Sequence, residues 1–488
     1  MNTNPANTLK YPEPDPVLIA KPSLKKYLRY LAFFGPGAVL ASMTIGQGQL
    51  ILAPQLGAWA GYAFLWIITL NIGSYIIAYT GCRFSLLAGI GPMSVFATKT
   101  RSGWMNWIFI VIILIFIPMF TAAIITTMGQ SLTWIFGRGH YLVWGISFSL
   151  LAASLVLAGR YKILELSQAL FVAFLGIGAI VSVIKIRPDL TEMLPNFFRF
   201  GNIPAYPEWM VTNFPVAAGK PVALLMLGML GTLSVTIIPL IGYLGWIRVK
   251  KWGIYHNQAD PDRFSEELFA RFRSTGTVDY LPDSKPELEK SRLLLKPLIV
   301  DLAVAFFIVS LVSICYMTAG KHLLGPQLDG SFKLPSDINL LKEQAVIFSH
   351  IAPILTPLYK ISIIFALFGT VYAGFEAVAR MLYETAKDML KPVRETQYNK
   401  FIIYLLVYIL CTGVPLAILI FSGVSVLIML SVTLLFIGVV GVIIYGIGVV
   451  VISQTVLPAP YRLRGISLYL ALGGIFCMSL PVILVIFK

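Results

Sequence analysis

The sequence predicts an all-α polytopic membrane protein, and three observations carry that expectation: its apolar content, the length of its apolar runs, and the placement of basic residues between them. Of 488 residues, 58% are hydrophobic and 12% charged, with a mean hydropathy of +0.83. Ordinary soluble domains carry about 25% charged residues, so this chain lacks the polar groups to cover its apolar surface in water. Eleven apolar stretches are long enough to cross about 30 Å of hydrocarbon as helices. They lie near 31–57, 61–86, 105–136, 141–159, 163–184, 221–247, 298–320, 357–382, 401–422, 424–453 and 467–487. With the N-terminus placed in the cytoplasm, 27 of the 37 Lys and Arg residues fall on the inner side. That asymmetry predicts an N-in, C-out multi-pass protein of the plasma or inner membrane. The net charge of +15 therefore orients the chain in its lipid bilayer and does not denote a nucleic-acid partner.

Residues 1–27 read as a cytoplasmic polar tail punctuated by prolines, with no signal-peptide pattern. The tail ends in SLKKYLRY, a basic amphipathic entry suited to the inner lipid surface. The first span follows as GPGAVLASMTIGQGQLILAPQLGAWAGY, Gly35 to Tyr62. Its centre, Thr44-Ile45-Gly46-Gln47-Gly48-Gln49, puts two glycines and two carboxamides where a spanning helix would carry aliphatics. Glycine leaves helical geometry readily, and freed N–H and C=O groups at membrane depth are tolerated only against protein or a water-lined cavity. A helix interrupted there points to a transport site.

The second span carries Asn71, Gly73 and Ser74 at mid-depth, a packing face on which small residues let helices approach. The third has no ionisable residue and a kink expected at Pro118. Glu165, between the fourth and fifth spans, reads as a surface partner of Arg160 or Lys162. An irregular outer loop rich in proline and aromatics leads to the sixth span, PVALLMLGMLGTLSVTIIPLIGYLGWIRVKKWG. Here Thr232, Ser234 and Thr236 precede Pro239, so the helix is expected to open around Ser234–Ile238 and restart at the proline.

Spans one and six run in opposite directions on the charge count. Two interrupted helices, each opening a five-span half, are the pattern of an inverted-repeat transporter; a kinked packing helix explains either break alone. The organisation expected is a tail (1–27), a first five-helix repeat (28–186), an outer loop (187–220), a second repeat (221–453, with cytoplasmic loop 250–297) and an eleventh helix (454–488). That loop is expected to hold one short helix, about 262–274. Asp301, Lys360 and Glu376 sit near expected interfaces and read as snorkelling side chains. Cys82, Cys315, Cys411 and Cys477 read as buried free thiols, and His140, His256, His322 and His350 fall in loops and share no face. No cofactor is implied, and no constellation of catalytic groups at membrane depth suggests an enzyme.

The residues of both interrupted spans resemble the NRAMP divalent-metal transporters. The resemblance rests on Gly35-Pro36-Gly37, the polar break at 46–49, Pro54-Gln55-Leu56-Gly57 and Gly61-Tyr62 in the first span. In the sixth it rests on Gly231, Thr236, Ile238-Pro239 and Tyr243-Leu244, with GRYKILE at the entry to span five. It implies a LeuT-like (APC superfamily) fold of eleven transmembrane helices in two inverted five-helix repeats with helices one and six broken. It also implies secondary transport, in that family usually of Mn²⁺ or Fe²⁺ with protons. The ligands that make such proteins metal transporters are replaced here. The metal-binding Asp position is Gly46, the Asn position Gln49, the Met position Ile238 and the following His position Leu240; the third-span acidic pair falls on Pro118 and Thr121.

A dehydrated divalent ion needs anionic oxygen or soft sulfur to offset its lost water. The expected substrate-binding set, Ser42, Thr44, Gly46, Gln47, Gly48, Gln49, Ser234, Thr236, Ile238, Pro239 and Tyr243, offers neither. It suits a small polar uncharged or zwitterionic solute, or a hydrated ion. Uniport is expected for want of internal carboxylates. The alternatives are divalent-cation transport through neutral ligands and a non-transporting receptor or scaffold whose output is loop 250–296.

Overall fold

Helices take up the apolar stretches because hydrocarbon offers no partner to a free backbone N–H or C=O, and a helix pairs them within the segment. The computed structural model of the chain describes residues 9–45, 47–158, 161–327, 330–335, 337 and 339–487, and gives backbone alone for 47, 161–169 and 171. Up to residue 186 the chain forms α1 (Leu24–Tyr30), α2 (Pro36–Ile45), α3 (Gln47–Ala60), α4 (Leu65–Leu70), α5 (Ile72–Ala88), α6 (Trp104–Phe136), α7 (Tyr141–Leu157) and α8 (Tyr161–Ile186). The sixth span is split into α9 (Val222–Leu233) and α10 (Ile237–Val249). Beyond α11 (Pro261–Thr275) and α12 (Lys285–Leu294) come the long helices α13 (Lys296–Leu323), α14 (Leu355–Ala386) and α15 (Tyr398–Phe421). The chain ends with α16 (Val426–Leu434), α17 (Gly441–Thr455) and α18 (Ile466–Ile486).

Among the described residues, eight helical spans are long and apolar enough to cross a membrane, and α7 is a shorter apolar helix. With α8 and the pair α2/α3, these fill the eleven expected stretches. α13 packs along both α2 and α3, and α9 lies between α3 and α16. The α3–α13 contact is tight because small residues meet backbone: a Cβ added at Gly57 would lie 2.0 Å from the Met317 carbonyl oxygen, and one at Gly320 2.2 Å from that of Pro54.

The end of the bundle carrying residues 250–296, inner by the charge count, is more ordered than the expected loop with one helix. It holds two helices, α11 and α12, stitched to the bundle by backbone-directed bonds. Ser265 Oγ donates to the Gly89 carbonyl (2.7 Å) and the Tyr280 hydroxyl to that of Ala88 (2.6 Å). The Tyr461 hydroxyl donates to Pro282 (2.5 Å), and the tail joins through Leu9 N to the Tyr280 carbonyl (2.9 Å). Burial pushes the Tyr280 phenol up and the Tyr461 phenol up to about 12, so both stay neutral donors at physiological pH. On α1, Leu24, Tyr27 and Leu28, with Leu31 just beyond, form an exposed apolar stripe opposite Lys25 and Arg29. The segment Leu24–Phe33 meets α2 at 66°, the geometry of an interfacial helix turning into a span.

Three expectations fail here. Asp301 does not snorkel: it is 0% exposed, because α2 and α10 cover it with hydrogen-bond donors. Cys411 is exposed on the outer face of α15, whereas Cys82 and Cys315 are buried and Cys477 half-buried. His322 lies in the last turn of α13 instead of a loop, with its Nε2 3.1 Å from the Tyr62 hydroxyl. The expected outer loop contains short helices, and α4 docks on it: Trp66 Nε1 donates to the Asn202 carbonyl (3.1 Å) and Thr69 Oγ1 to that of Phe197 (3.0 Å). Arg160 and the Glu165 and Lys162 side chains lie outside the described residues.

Candidate substrate site

The sixth span opens at Ser234, Val235 and Thr236, between the end of α9 and the start of α10. The restart comes two residues before Pro239, so the proline occupies the third helical position, where its missing N–H is one a helix start does not pair internally. The backbone groups freed by the opening are met by side chains of α5 and its lead-in. Asn71 Nδ2 donates to the Leu233 carbonyl (2.9 Å), and Ser74 Oγ accepts from Val235 N–H (3.2 Å) while donating to Asn71 Oδ1 (2.9 Å). Ser234 Oγ reaches the Gly231 carbonyl (2.9 Å) and the Gly438 carbonyl (2.6 Å). Gly438 belongs to a π-helical turn at 435–440 linking α16 to α17. There the two backbones nearly touch, since a Cβ on Gly438 would lie 2.5 Å from the Gly231 oxygen. An unpaired buried carbonyl or amide costs about 1–3 kcal/mol, so these bonds are what make the opening tolerable.

In the first span residues Pro36–Ile45 and Gln47–Ala60 are helical, and Gly46 between them, where the break was expected, lies outside the described residues. Gln47, Gly48 and Gln49 are themselves helical, where the expectation had a polar break. Gly48 faces Thr232 of α9 so closely that an added Cβ would lie 2.5 Å from its hydroxyl oxygen.

Between the middle of the first span and the opening of the sixth lies a cavity of about 90 Å³, reached by α2, α3, α6, α7, α9, α10, α14, α16 and the π turn. A water needs about 10–15 Å³ measured this way, so the space admits several waters or one small solute. Its lining includes the hydroxyls of Thr44, Thr121, Ser149, Thr232, Ser234, Thr236 and Thr370, the remainder being apolar side chains and glycine. No lining residue is ionisable. Several hydroxyl protons are already committed: Thr44 Oγ1 donates to the Leu40 carbonyl and Thr370 Oγ1 to that of Ala366, each at 2.8 Å. Those oxygens keep lone pairs for a donor in the cavity. Thr232 Oγ1 is buried without a protein partner. At the start of α10, Thr236 makes no side-chain cap and Pro239 has no N–H, leaving the N–H groups of Ile237 and Ile238 as the donors of that helix end.

The structure brings Thr44, Gly48, Ser234, Thr236, Ile238 and Pro239 together around this cavity. It does not bring the rest. Gln49 is 0% exposed, absent from the lining, and neither amide atom finds a partner. Ser42 is half-buried outside the lining. Tyr243 is one turn further along α10 and spends its hydroxyl on Asp301. Gly46 and the Gln47 side chain lie outside the described residues. Sequence reasoning did not place Thr121 as a lining hydroxyl, and missed Ser149 and Thr370 on neighbouring helices altogether. Thr232 was noted in the polar cluster before Pro239 but left out of the binding set. Among the described residues no three His, Cys, Asp or Glu side chains converge in a metal-binding group.

A second, larger cavity of about 820 Å³ lies toward the end of the bundle that carries residues 250–296. Its wall carries Arg248, Arg273, Arg380, Lys387 and Arg394 together with Asp262, Glu266, Glu384 and Asp388. Arg248 bonds Asp262 (3.0 Å) and lies 4.0 Å from Glu384.

The sequence profile of one protein family, described as natural resistance-associated macrophage protein-like (Nramp), matches residues 37–487. No curated protein matches the chain at significance. Among solved structures the chain is similar to a manganese transporter of Eremococcus coleocola, at TM-score 0.63 and 12% identity, covering 95% of this chain and 88% of the other. It is also similar to MHP1, a nucleobase-cation-symport-1 family transporter solved with bromovinylhydantoin, at TM-score 0.50 and 11% identity over 93% and 92% of the two chains. MhsT in complex with L-phenylalanine gives TM-score 0.50 and 16% identity over 92% and 97%. At these identities the likeness is one of fold, the LeuT-like arrangement.

Proposed function

The chain belongs to the Nramp family of secondary transporters, and from that premise we propose that it carries a small polar uncharged or zwitterionic solute in place of a bare transition-metal ion. The observation that carries this reading is a central cavity lined by hydroxyls and apolar groups without a carboxylate or imidazole, Met43 of α2 supplying the one thioether. Magnitude favours it. Hydroxyls and a helix end contribute about 0.5–2 kcal/mol each toward a polar solute. Stripping an ion without a counter-charge costs far more than such terms return. The N-terminus of α10 would receive an anionic or acceptor group of the solute, and the oxygens of Thr44 and Thr370 its donors. Thr232, unpartnered as it stands, would bond the solute directly. In this reading the N-terminus is cytoplasmic and the chain sits in the plasma or inner membrane, as the distribution of Lys and Arg supports.

Flux into proteoliposomes holding the purified protein tests the reading. Counterflow of amino acids or small amides, blocked by bulky substitution at Thr232, is expected. Saturable Mn²⁺ flux with no flux of any such solute would overturn it. Family membership favours the second reading, divalent-cation transport, in which the ion would keep part of its water against the hydroxyl lining. The same assay run with Mn²⁺ and Mg²⁺ separates the two.

A further inference from the structure

Asp301 and Lys220 are the only charged side chains in the buried set of the described residues. Asp301 stands in the second turn of α13, 0% exposed, and the proposed solute path does not use it. Its carboxylate accepts three hydrogen bonds from two other helices. Oδ1 takes Gly35 N–H (2.8 Å), Oδ2 takes Gly37 N–H (2.7 Å), and Oδ2 also takes the Tyr243 hydroxyl. Gly35 and Gly37 are the entry to α2 in the first span, and Tyr243 belongs to α10, the half of the sixth span that follows its opening. One carboxylate thus joins α2 and α10 to an unbroken helix.

Two features show that the join is built in. A Cβ on Gly37 would lie 2.6 Å from the Asp301 carbonyl oxygen and 2.9 Å from its carboxyl carbon, so only glycine lets α2 come down on the acid. α2 also enters from Leu24–Phe33 through a 66° turn just before Gly35, the place where it would swing. Residues of the same two helices, Met43 and Thr44 on α2 and Ile238 and Pro239 on α10, wall the central cavity. Any inward opening that parts α2 from α10 must break these bonds.

We propose that Asp301 is a positioning residue for transport: by holding the start of α2 and Tyr243 of α10 together it keeps the central cavity closed to the cytoplasm, and its bonds are the ones broken when the inner path opens. This rests on the reading of the chain as a transporter but not on which solute it carries.

The test is accessibility from one side. In full-length protein with its four native cysteines replaced, Thr44→Cys reports the cavity, and a membrane-impermeant maleimide is applied to inside-out and to right-side-out vesicles. Asp301→Asn, nearly isosteric but uncharged, is expected to raise the labelling rate from the inner side by about tenfold, the scale of a charged hydrogen bond lost. Labelling from the outer side should stay at the starting rate or fall. Tyr243→Phe, which removes one of the three bonds, should give a smaller rise of the same sidedness. Gly37→Ala serves where Asp301→Asn does not accumulate, since its methyl forces α2 off the acid, and it should also raise inner labelling. Unchanged inner labelling in all three variants, or equal rises from both sides, would overturn the proposal, the latter because a general loosening has no sidedness. Zero flux of every solute tried would count against the transport reading alone, because labelling needs no substrate.

Discussion

The central cavity and the inner vestibule are walled by the same two helices and differ completely in chemistry. Along α10, Ile238 and Pro239 face the cavity, and by Gly245 and Arg248 the wall belongs to the vestibule. Along α14, Thr370, Gly374 and Val378 face the cavity, while Arg380, Glu384 and Lys387 face the vestibule. A change of two turns separates a lining without ionisable groups from one with five basic and four acidic residues. The uncharged cavity is therefore a local property of the transport site and not a consequence of a chain poor in charge. In the vestibule the charges pair in part with one another, as Arg248 does with Asp262 and Lys387 with Glu384 (2.8 Å).

The sharpest way to break this contrast is to put charge where the cavity has none. Gly46→Asp combined with Ile238→Met restores two of the ligand types that the family resemblance assigns to these positions, and should tighten Mn²⁺ binding by on the order of 100-fold, read by calorimetry. An unchanged affinity would mean that these positions do not address the cavity together. Next in size is Asn71→Ala, which orphans the Leu233 carbonyl. It should destabilise the protein by about 1–3 kcal/mol and lower its thermal midpoint in detergent. A smaller, specific effect is expected of Thr232→Val. Removing the unpartnered hydroxyl should raise the KM for the carried solute by roughly 3- to 10-fold with the unfolding midpoint unchanged. Smallest is Arg273→Gln on the exposed wall of the vestibule, where stability should move by less than about 0.5 kcal/mol and KM should not move.

How far the sequence revealed these two regions follows from what each depends on. The opening of the sixth span was legible because a polar cluster and a proline mark it locally, and the membrane class followed from hydropathy and charge placement. The cavity lining was half legible: residues beside the expected breaks were found, while Ser149 and Thr370 sit in otherwise unremarkable apolar spans and join the site only through packing. Gln49, placed in the binding set from the sequence, lies in a helical run and is absent from the cavity lining, because a helix fixes which face each side chain of the polar run takes. Asn71 and Ser74 were seen as a packing face. Only the fold shows that they serve the backbone of a helix 162 residues distant. The π turn at 435–440 has no signal in an aliphatic run, and it places the Gly438 carbonyl against Ser234. Asp301 was misplaced because closeness to the end of a span was taken for closeness to water. α2 and α10 fold over that end, so the expectation that no internal carboxylate exists was wrong.

The two ends of the bundle are also pinned in parallel ways. At the end away from residues 250–296 Lys220 bonds Asp337 (2.6 Å), which in turn accepts from Ser425 Oγ (3.0 Å) and Leu427 N–H (3.1 Å) at the start of α16. Toward the opposite end Asp301 meets the start of α2. Each is a carboxylate at a helix N-terminus, where the helix dipole favours negative charge.

The most direct measurement for the account as a whole is calorimetric titration of Mn²⁺ into the purified wild-type protein. A cavity of hydroxyls and apolar groups predicts no saturable heat through the millimolar range. Stoichiometric micromolar binding, abolished by a bulky residue at Thr232, would place a metal in that cavity and contradict it.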